Sequence, residues 1–127
     1  MTGSTSNSPT SSPPEPSLSE PLRQVVEAAR AKKAEDLIVL DLRASGAFTD
    51  HFVICSGRST RQVTAIVDDI QARLKSLDAR PAHLEGYATA EWVLIDCFDF
   101  IVHVFTPDTR SFYALERLWG NATRVEV

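Results

Sequence analysis

Two parts of the chain carry apolar residues at the spacing of an amphipathic helix. The first helix is predicted to begin at the capping residue Ser19, with Pro21 in its first turn. The second follows residues 59–62, S-T-R-Q, which are typical of a capping box. The apolar positions are Leu22, Val25, Val26 and Ala29 in the first helix and Val63, Ile66, Val67, Ile70, Leu74 and Leu77 in the second. Each helix is therefore expected to bury one face.

Short runs of β-branched, aromatic and other apolar residues predict five strands. These runs cover residues 36–41, 51–55, 82–85, 91–96 and 100–105. A last helix is predicted to start at 106–108, with Phe112, Leu115 and Trp119 on one face, and to stop at Gly120. The order α-β-β-α-β-β-β-α predicts the α/β class (mixed α+β), with a small mixed β-sheet flanked by helices.

The last two strands are predicted to form a hairpin that turns at residues 97–98. In that register Trp92 lies opposite His103, and Asp96 lies opposite Asp99. One face of the hairpin then belongs to the core and carries Val93, Ile95, Phe100, Val102 and Val104. The other face mixes aromatic and charged side chains, which suits a surface for a partner, and carries Trp92, Leu94, Asp96, Asp99, Ile101, His103 and Phe105. A one-residue slip would turn one strand over, so the faces depend on the register.

Composition divides the chain into a tail and one domain. Residues 1–18 are rich in Ser, Thr and Pro and are predicted to be disordered, whereas 19–127 form a single domain. The formal net charge of −4 and the lack of a basic stripe disfavour binding to DNA or RNA and suit a basic protein partner. Cys55 and Cys97 are expected to be buried thiols in a reducing cytoplasm. No signal peptide or membrane-spanning stretch is evident, so a soluble cytoplasmic protein is expected.

Asp96, Asp99 and His103 are the residues with the strongest case for chemistry. Two carboxylates and an imidazole could hold a hard divalent cation or transfer protons. Their spacing matches no known ligand signature, and we favour His103 as a sheet residue or a partner contact. Residues 56–59, S-G-R-S, join a strand to a helix but lack a phosphate-binding glycine pattern, which favours a structural turn. No metal or cofactor is expected.

Five ordered stretches of the sequence resemble the ribosomal silencing factor family, also called the Iojap family. They are T-D-H-F-V-I-C-S-G-R-S-T-R-Q-V (49–63), L-E-G (84–86), W-V-L-I-D (92–96), D-F-I-V-H-V-F (99–105) and R-S-F-Y-A-L-E-R-L-W-G (110–120). The stretches are spread over nearly the whole predicted domain, and together they are specific, although each alone is short.

The resemblance implies a protein that is not an enzyme. Family members bind large-subunit ribosomal protein fourteen on the large ribosomal subunit, block joining of the small subunit sterically, and repress translation when nutrients are scarce. The family often self-associates, so a homodimer is expected when the protein is free. The resemblance also implies contact positions at Trp92 and Tyr113, and we extend the ribosomal-protein-binding site to their neighbours Phe105, Asp99, His103 and Arg110.

Two other functions remain open at this point. The family's fold is similar to a nucleotidyltransferase core, which raises a nucleotide-handling enzyme as the main alternative. Such enzymes use an adjacent glycine-serine pair and a D-x-D carboxylate pair; here Arg58 separates Gly57 from Ser59, and no D-x-D occurs. A dimeric scaffold with another partner is the third possibility. Magnesium-dependent nucleotide binding that is lost in Asp96→Asn would favour the enzyme.

Overall fold

The computed structural model describes residues 18–44, 47, 49–109, 123–125 and 127. Within these residues the chain forms a mixed α/β domain. Its elements are α1 (Glu20–Ala31), β1 (Glu35–Asp41), β2 (His51–Ser56), α2 (Thr60–Ser76), β3 (His83–Glu85), β4 (Trp92–Asp96), β5 (Phe100–Phe105) and β6 (Thr123–Val125). Residues 107–109 are helical, where the last helix was predicted to start; its face and its predicted end lie outside the described residues. Strand β6 was not predicted.

Serine side chains cap both long helices, as the sequence predicts. The Ser19 hydroxyl accepts from the Leu22 amide at 3.3 Å, and the Ser59 hydroxyl accepts from the Gln62 amide at 3.2 Å. The second cap differs from a standard capping box, because the side-chain oxygen Oε1 of Gln62 accepts from the backbone N–H of Arg58 at 2.7 Å rather than from that of Ser59. The Gln62 amide group also donates to the backbone oxygens of residues 32 and 33, which ties the start of α2 to the end of α1.

The strands form one six-stranded sheet in the order β3-β4-β5-β2-β1-β6. The central pair, β2 and β5, is parallel, and every other neighbouring pair is antiparallel. The prediction of a small mixed sheet with helices is therefore confirmed. No helix among the described residues is long and apolar enough to cross a lipid bilayer.

The predicted turn of the β4–β5 hairpin is wrong by one residue in each strand. Trp92 pairs with Phe105 and Asp96 pairs with Ile101, so the two-residue loop is Phe98 and Asp99. The Asp96 carboxylate accepts from the Phe98 amide at 2.9 Å, and Phe98 has a φ of 68°, in the left-handed region. This moves each residue's partner by two positions, and because side chains alternate with a period of two, the faces stay as predicted.

Both faces of the sheet bury apolar residues. The face that packs against α1 and α2 contains all five hairpin residues predicted for the core, together with Val39, Val53 and Cys55. The opposite face carries a second cluster, whose buried members are Leu40, Leu42, Phe52, Ile54, Ile101 and Phe105. The prediction that this face is open to solvent is wrong for Ile101, His103 and Phe105, which are at most 5% exposed. Strand β5 lies in the middle of the sheet, beside the apolar residues of β2, rather than at an edge.

One residue of the predicted tail falls within the described part of the chain. Leu18 is partly buried and packs against the hydrophobic core. The rest of the predicted tail lies outside the described residues.

Candidate functional site

Trp92, at the start of β4, is held by two ring side chains from β5. Its indole Nε1–H donates to Nδ1 of His103 at 3.1 Å. Its ring centroid lies 5.1 Å from that of Phe105 and 6.0 Å from that of His103. Trp92 is partly exposed, whereas His103 is 4% exposed and Phe105 is completely buried. We call these three residues the indole site.

The strand register explains how the three rings meet. Phe105 lies directly opposite Trp92, and His103 lies opposite Leu94, which puts His103 diagonal to Trp92 on the same face. Diagonal positions are close enough for aromatic side chains to touch. On the other side of β5, the Phe52 ring meets His103 edge-on, with centroids 5.0 Å apart and planes at 79°. The imidazole is thus enclosed by rings from three strands.

The contacts of His103 fix its protonation state. An indole N–H can only donate, so Nδ1 of His103 is the acceptor and the imidazole proton is on Nε2. Nε2 is buried and has no hydrogen-bond partner among the residues that the structure describes. Burial lowers the pKa of His103 to about 4, so the ring is neutral at physiological pH. One nitrogen is occupied by Trp92 and the other is enclosed, which suits a packed ring rather than a metal ligand or a proton-transfer group.

Lowering the pH from 6.5 to 4 is expected to reduce the free energy of unfolding by up to about 3 kcal/mol. In this window the unfolded chain protonates a histidine that the fold keeps neutral, so the unfolded state binds more protons and stability falls with pH. Burial also lowers the pKa of His51, which acts in the same direction. Urea unfolding at several pH values measures the effect. His103→Phe should remove much of the slope, and a wild-type stability that does not change over this range would contradict the prediction.

The three residues of the cation hypothesis are not brought together. Asp99 and His103 are four positions apart on extended chain, which corresponds to about 13 Å. The Asp96 carboxylate is used by the hairpin turn. Among the described residues, no group of three or more histidine, cysteine or acidic side chains could hold a metal ion. Burial and the negative charges of Asp96 and Asp99 raise the pKa of Cys97 to about 12, which makes its thiol a poor nucleophile.

The loop at residues 56–59 has a structural role. The Gly57 amide donates to the Phe105 backbone oxygen at 2.8 Å, and the Arg58 amide is used by Gln62. A Cβ on Gly57 would lie 2.8 Å from the Val63 nitrogen, so the glycine permits a close approach to α2. These amides are therefore not available to cradle a phosphate, in agreement with the predicted structural turn.

Gly86 is a supporting residue whose role the sequence analysis did not identify. It has a φ of 83°, and a Cβ built on it would lie 2.0 Å from the Trp92 backbone oxygen. The only sign in the sequence is a glycine that ends a weak strand, in the L-E-G stretch. The structure adds that this glycine lets the turn before β4 pass against the backbone of Trp92.

Exposed acidic residues lie on the segments next to Trp92. Glu91 precedes it in the chain, and Glu85 pairs with Leu94 on the edge strand β3. The Glu91 backbone oxygen accepts from the Thr106 amide at 3.0 Å, which brings the segment that carries exposed Asp108 beside Glu91. A partly exposed indole with carboxylates around it suits a basic protein surface.

The other predicted contact residues are distributed differently. Asp99 is exposed in the hairpin turn, at the far end of β4 from Trp92. Tyr113 and Arg110 lie outside the described residues. Phe105 and His103 are close to Trp92 but lie beneath it, so the structure gives them a supporting position. The role of all six residues in binding a ribosomal protein stays a prediction.

Comparisons with known proteins agree on one family. The family model described as "Ribosomal silencing factor during starvation" matches residues 15–127. The chain is 42% identical over 108 residues to the ribosomal silencing factor of Halalkalibacterium halodurans, covering 85% of this chain and 92% of the relative. It is 41% identical over 101 residues to that of Bacillus subtilis, covering 80% and 86%.

A solved structure gives the same result for the fold. The crystal structure of a protein from Chromobacterium violaceum superimposes with a TM-score of 0.76 at 35% sequence identity, covering 80% of this chain and 84% of that chain. The family is named for silencing ribosomes and not for a catalysed reaction. The sequence, the fold and the relatives together place this chain in the ribosomal silencing factor family.

Proposed function

We propose that this protein binds the large ribosomal subunit through ribosomal protein fourteen and blocks joining of the small subunit sterically. Translation is thereby repressed, as under nutrient limitation, and no covalent bond is made or broken. The protein acts in the cytoplasm, where it meets free large subunits, and it forms a homodimer when it is not bound to them. Membership of the ribosomal silencing factor family supports the ribosome as the target.

The observation that carries the proposal is the partly exposed indole of Trp92 on a rigid ring support. Aromatic anchors of this kind contribute about 2 kcal/mol or more to protein–protein binding. An indole that is already held by Phe105 and His103 loses little freedom when the partner arrives, which favours affinity. Tyr113, Arg110 and Asp99 complete the proposed contact surface, while Phe105 and His103 support it from below.

The acidic residues near Trp92 affect the rate of association with the partner more than the affinity of the complex. Exposed ion pairs contribute about 0–1 kcal/mol each, so carboxylates alone would not hold a ribosomal partner. A negative rim does attract a basic surface and increases the association rate, an effect that salt weakens. The aromatic residues therefore provide most of the affinity, and the acidic residues increase the association rate.

Trp92→Glu is expected to weaken binding to large ribosomal subunits about a hundredfold, because it removes the aromatic anchor and places a carboxylate in the contact. Tyr113→Ala is expected to weaken binding by a smaller factor. Co-sedimentation with isolated large subunits over a range of protein concentrations measures both. The same variants should lose the ability to prevent subunit joining, which light scattering follows when small subunits are added.

Ala72→Glu provides the matched control. Ala72 is exposed on α2, which packs against the opposite face of the sheet from Trp92, so a carboxylate there should leave co-sedimentation unchanged. Circular dichroism establishes that each variant is folded. Wild-type binding by both Trp92→Glu and Tyr113→Ala would refute the site. Binding that leaves subunit joining unaffected would refute the steric mechanism.

A further inference from the structure

We propose that His103 is a positioning residue that sets the orientation in which the Trp92 indole meets the ribosomal partner. This inference rests on the proposed function, because it concerns how the indole site is held ready for binding. His103 itself is almost completely buried and touches the partner only through Trp92.

The geometry gives His103 control over the direction of the indole plane. The Phe105 ring lies against the indole with the two ring planes tilted by 31°, a contact that does not distinguish one edge of the indole from the other. The hydrogen bond from Nε1 to Nδ1 of His103 makes that distinction, because only one edge of the indole carries an N–H. The phenyl ring therefore supports the indole, and the hydrogen bond selects which edge faces inward.

The surroundings of His103 hold it in one place. Its ring is parallel to that of Phe105 within 10° and meets the Phe52 ring edge-on. Ile54 lies beside it on the parallel strand β2. An acceptor enclosed in this way cannot follow the indole as it moves, so it defines a fixed point for the N–H.

A histidine at position 103 lowers the stability of the fold, and packing alone does not explain why this residue is present. Nε2 carries a proton and is buried with no hydrogen-bond partner in the described part of the chain, which is unfavourable for the fold. A phenylalanine would fill a similar volume without that cost. The bond to Trp92 is the single hydrogen bond that the imidazole makes among the described residues, and it is the feature that an apolar ring would lose.

Two variants separate positioning from simple packing. His103→Phe keeps a ring but removes the acceptor, and it is expected to weaken large-subunit binding about five- to tenfold, the worth of one hydrogen bond. Its thermal stability should be equal to or higher than that of the wild type, because the buried unpaired N–H is gone. His103→Asn places an amide oxygen near the former position of Nδ1 and is expected to recover part of the affinity despite its smaller side chain. A defect in folding alone would not produce this pattern.

The indole N–H provides a direct spectroscopic readout. The chain has two tryptophans, so the resonance that disappears in Trp92→Phe identifies the Trp92 indole proton. In His103→Phe this resonance should shift upfield and exchange with solvent faster. In the Trp92→Phe background, adding His103→Phe should change affinity less than twofold, because the donor is already absent. His103→Leu serves the same purpose if the phenylalanine variant does not fold.

The results distinguish this inference from the proposed function. If Trp92→Glu weakens binding while folded His103→Phe or His103→Leu binds as tightly as the wild type, the positioning role is overturned and the binding site stands. An unchanged indole resonance in these variants would also overturn it. If Trp92→Glu binds normally, the proposed function fails at its own test.

Discussion

Replacing Gly86 with alanine is expected to lower the free energy of unfolding by about 4 kcal/mol, through steric overlap together with backbone strain. The new Cβ would lie 2.0 Å from the Trp92 backbone oxygen, and the residue has a φ of 83° that L side chains rarely adopt. Backbone atoms lie on both sides of the overlap, so no side-chain rotation relieves it. Urea unfolding of the wild type and the variant measures the difference.

Gly86→Asn distinguishes the two causes. Asparagine tolerates a positive φ better than alanine but carries the same Cβ, so it should destabilise nearly as much if the overlap with Trp92 dominates. An asparagine variant close to the wild type would show that backbone strain is the main cause. Glu85→Ala, at the exposed neighbouring position, should have little effect. Because the overlap displaces Trp92, the alanine variant should also bind large subunits more weakly.

Phe105→Ala is expected to cost about 4 kcal/mol of stability, the range found when a buried phenyl ring is deleted. The ring is completely buried and contacts both Trp92 and His103. Its strand is in the middle of the sheet, so neighbouring residues have little freedom to close the cavity. Chemical denaturation measures the loss.

Phe98→Ala is the control for this substitution. It removes the same atoms from a ring that is 74% exposed, and the expected change is within about 0.5 kcal/mol. A Phe105→Ala variant as stable as Phe98→Ala would contradict the assignment of Phe105 as the base of the indole site. At a temperature where the variant is still folded, its binding to large subunits should also be weaker, since the indole has lost its support.

Local sequence patterns predicted most of the elements correctly. The spacing of apolar residues in α1 and α2 marks the buried faces, because a helix buries one stripe whatever lies opposite it. Leu77 is the exception, because it caps the C-terminal end of α2 and is 39% exposed. Five of the six described strands were predicted from β-branched and aromatic runs. Strand β6 was missed because three residues are too few to show a period, and its pairing with β1 is set by tertiary structure.

The register of the hairpin could not be obtained in the same way. It depends on Phe98 adopting a left-handed backbone conformation, which is uncommon for a bulky residue, and on Asp96 accepting its amide. Burial of the second face could not be predicted either, since it depends on β5 pairing with β2, which lies far away in the sequence. The aromatic character of that face was predicted correctly, but the exposure of its three β5 residues, Ile101, His103 and Phe105, was not.

The candidate site was predicted in part. Trp92 was predicted as a contact residue from the family resemblance, and in the structure its side chain is partly exposed. Tyr113 and Arg110 lie outside the described residues. The sequence placed His103 near Trp92, but opposite it instead of diagonal to it. The role of Gly86 could not be predicted, because its Cβ position conflicts with a backbone atom six residues later, and this contact exists only after β3 and β4 have paired.

The parallel pairing of β2 and β5 has a consequence for how the protein folds. His51 and Ser56 pair with Phe100 and Phe105 across the whole of α2, β3 and β4, so the centre of the sheet closes through contacts between distant parts of the chain. Such topologies fold more slowly than those built from neighbouring segments, because a long loop must be ordered first. A growing polypeptide that ends before Phe100 has the indole but lacks the rings that hold it. The indole site is therefore complete only after β5 has been synthesised.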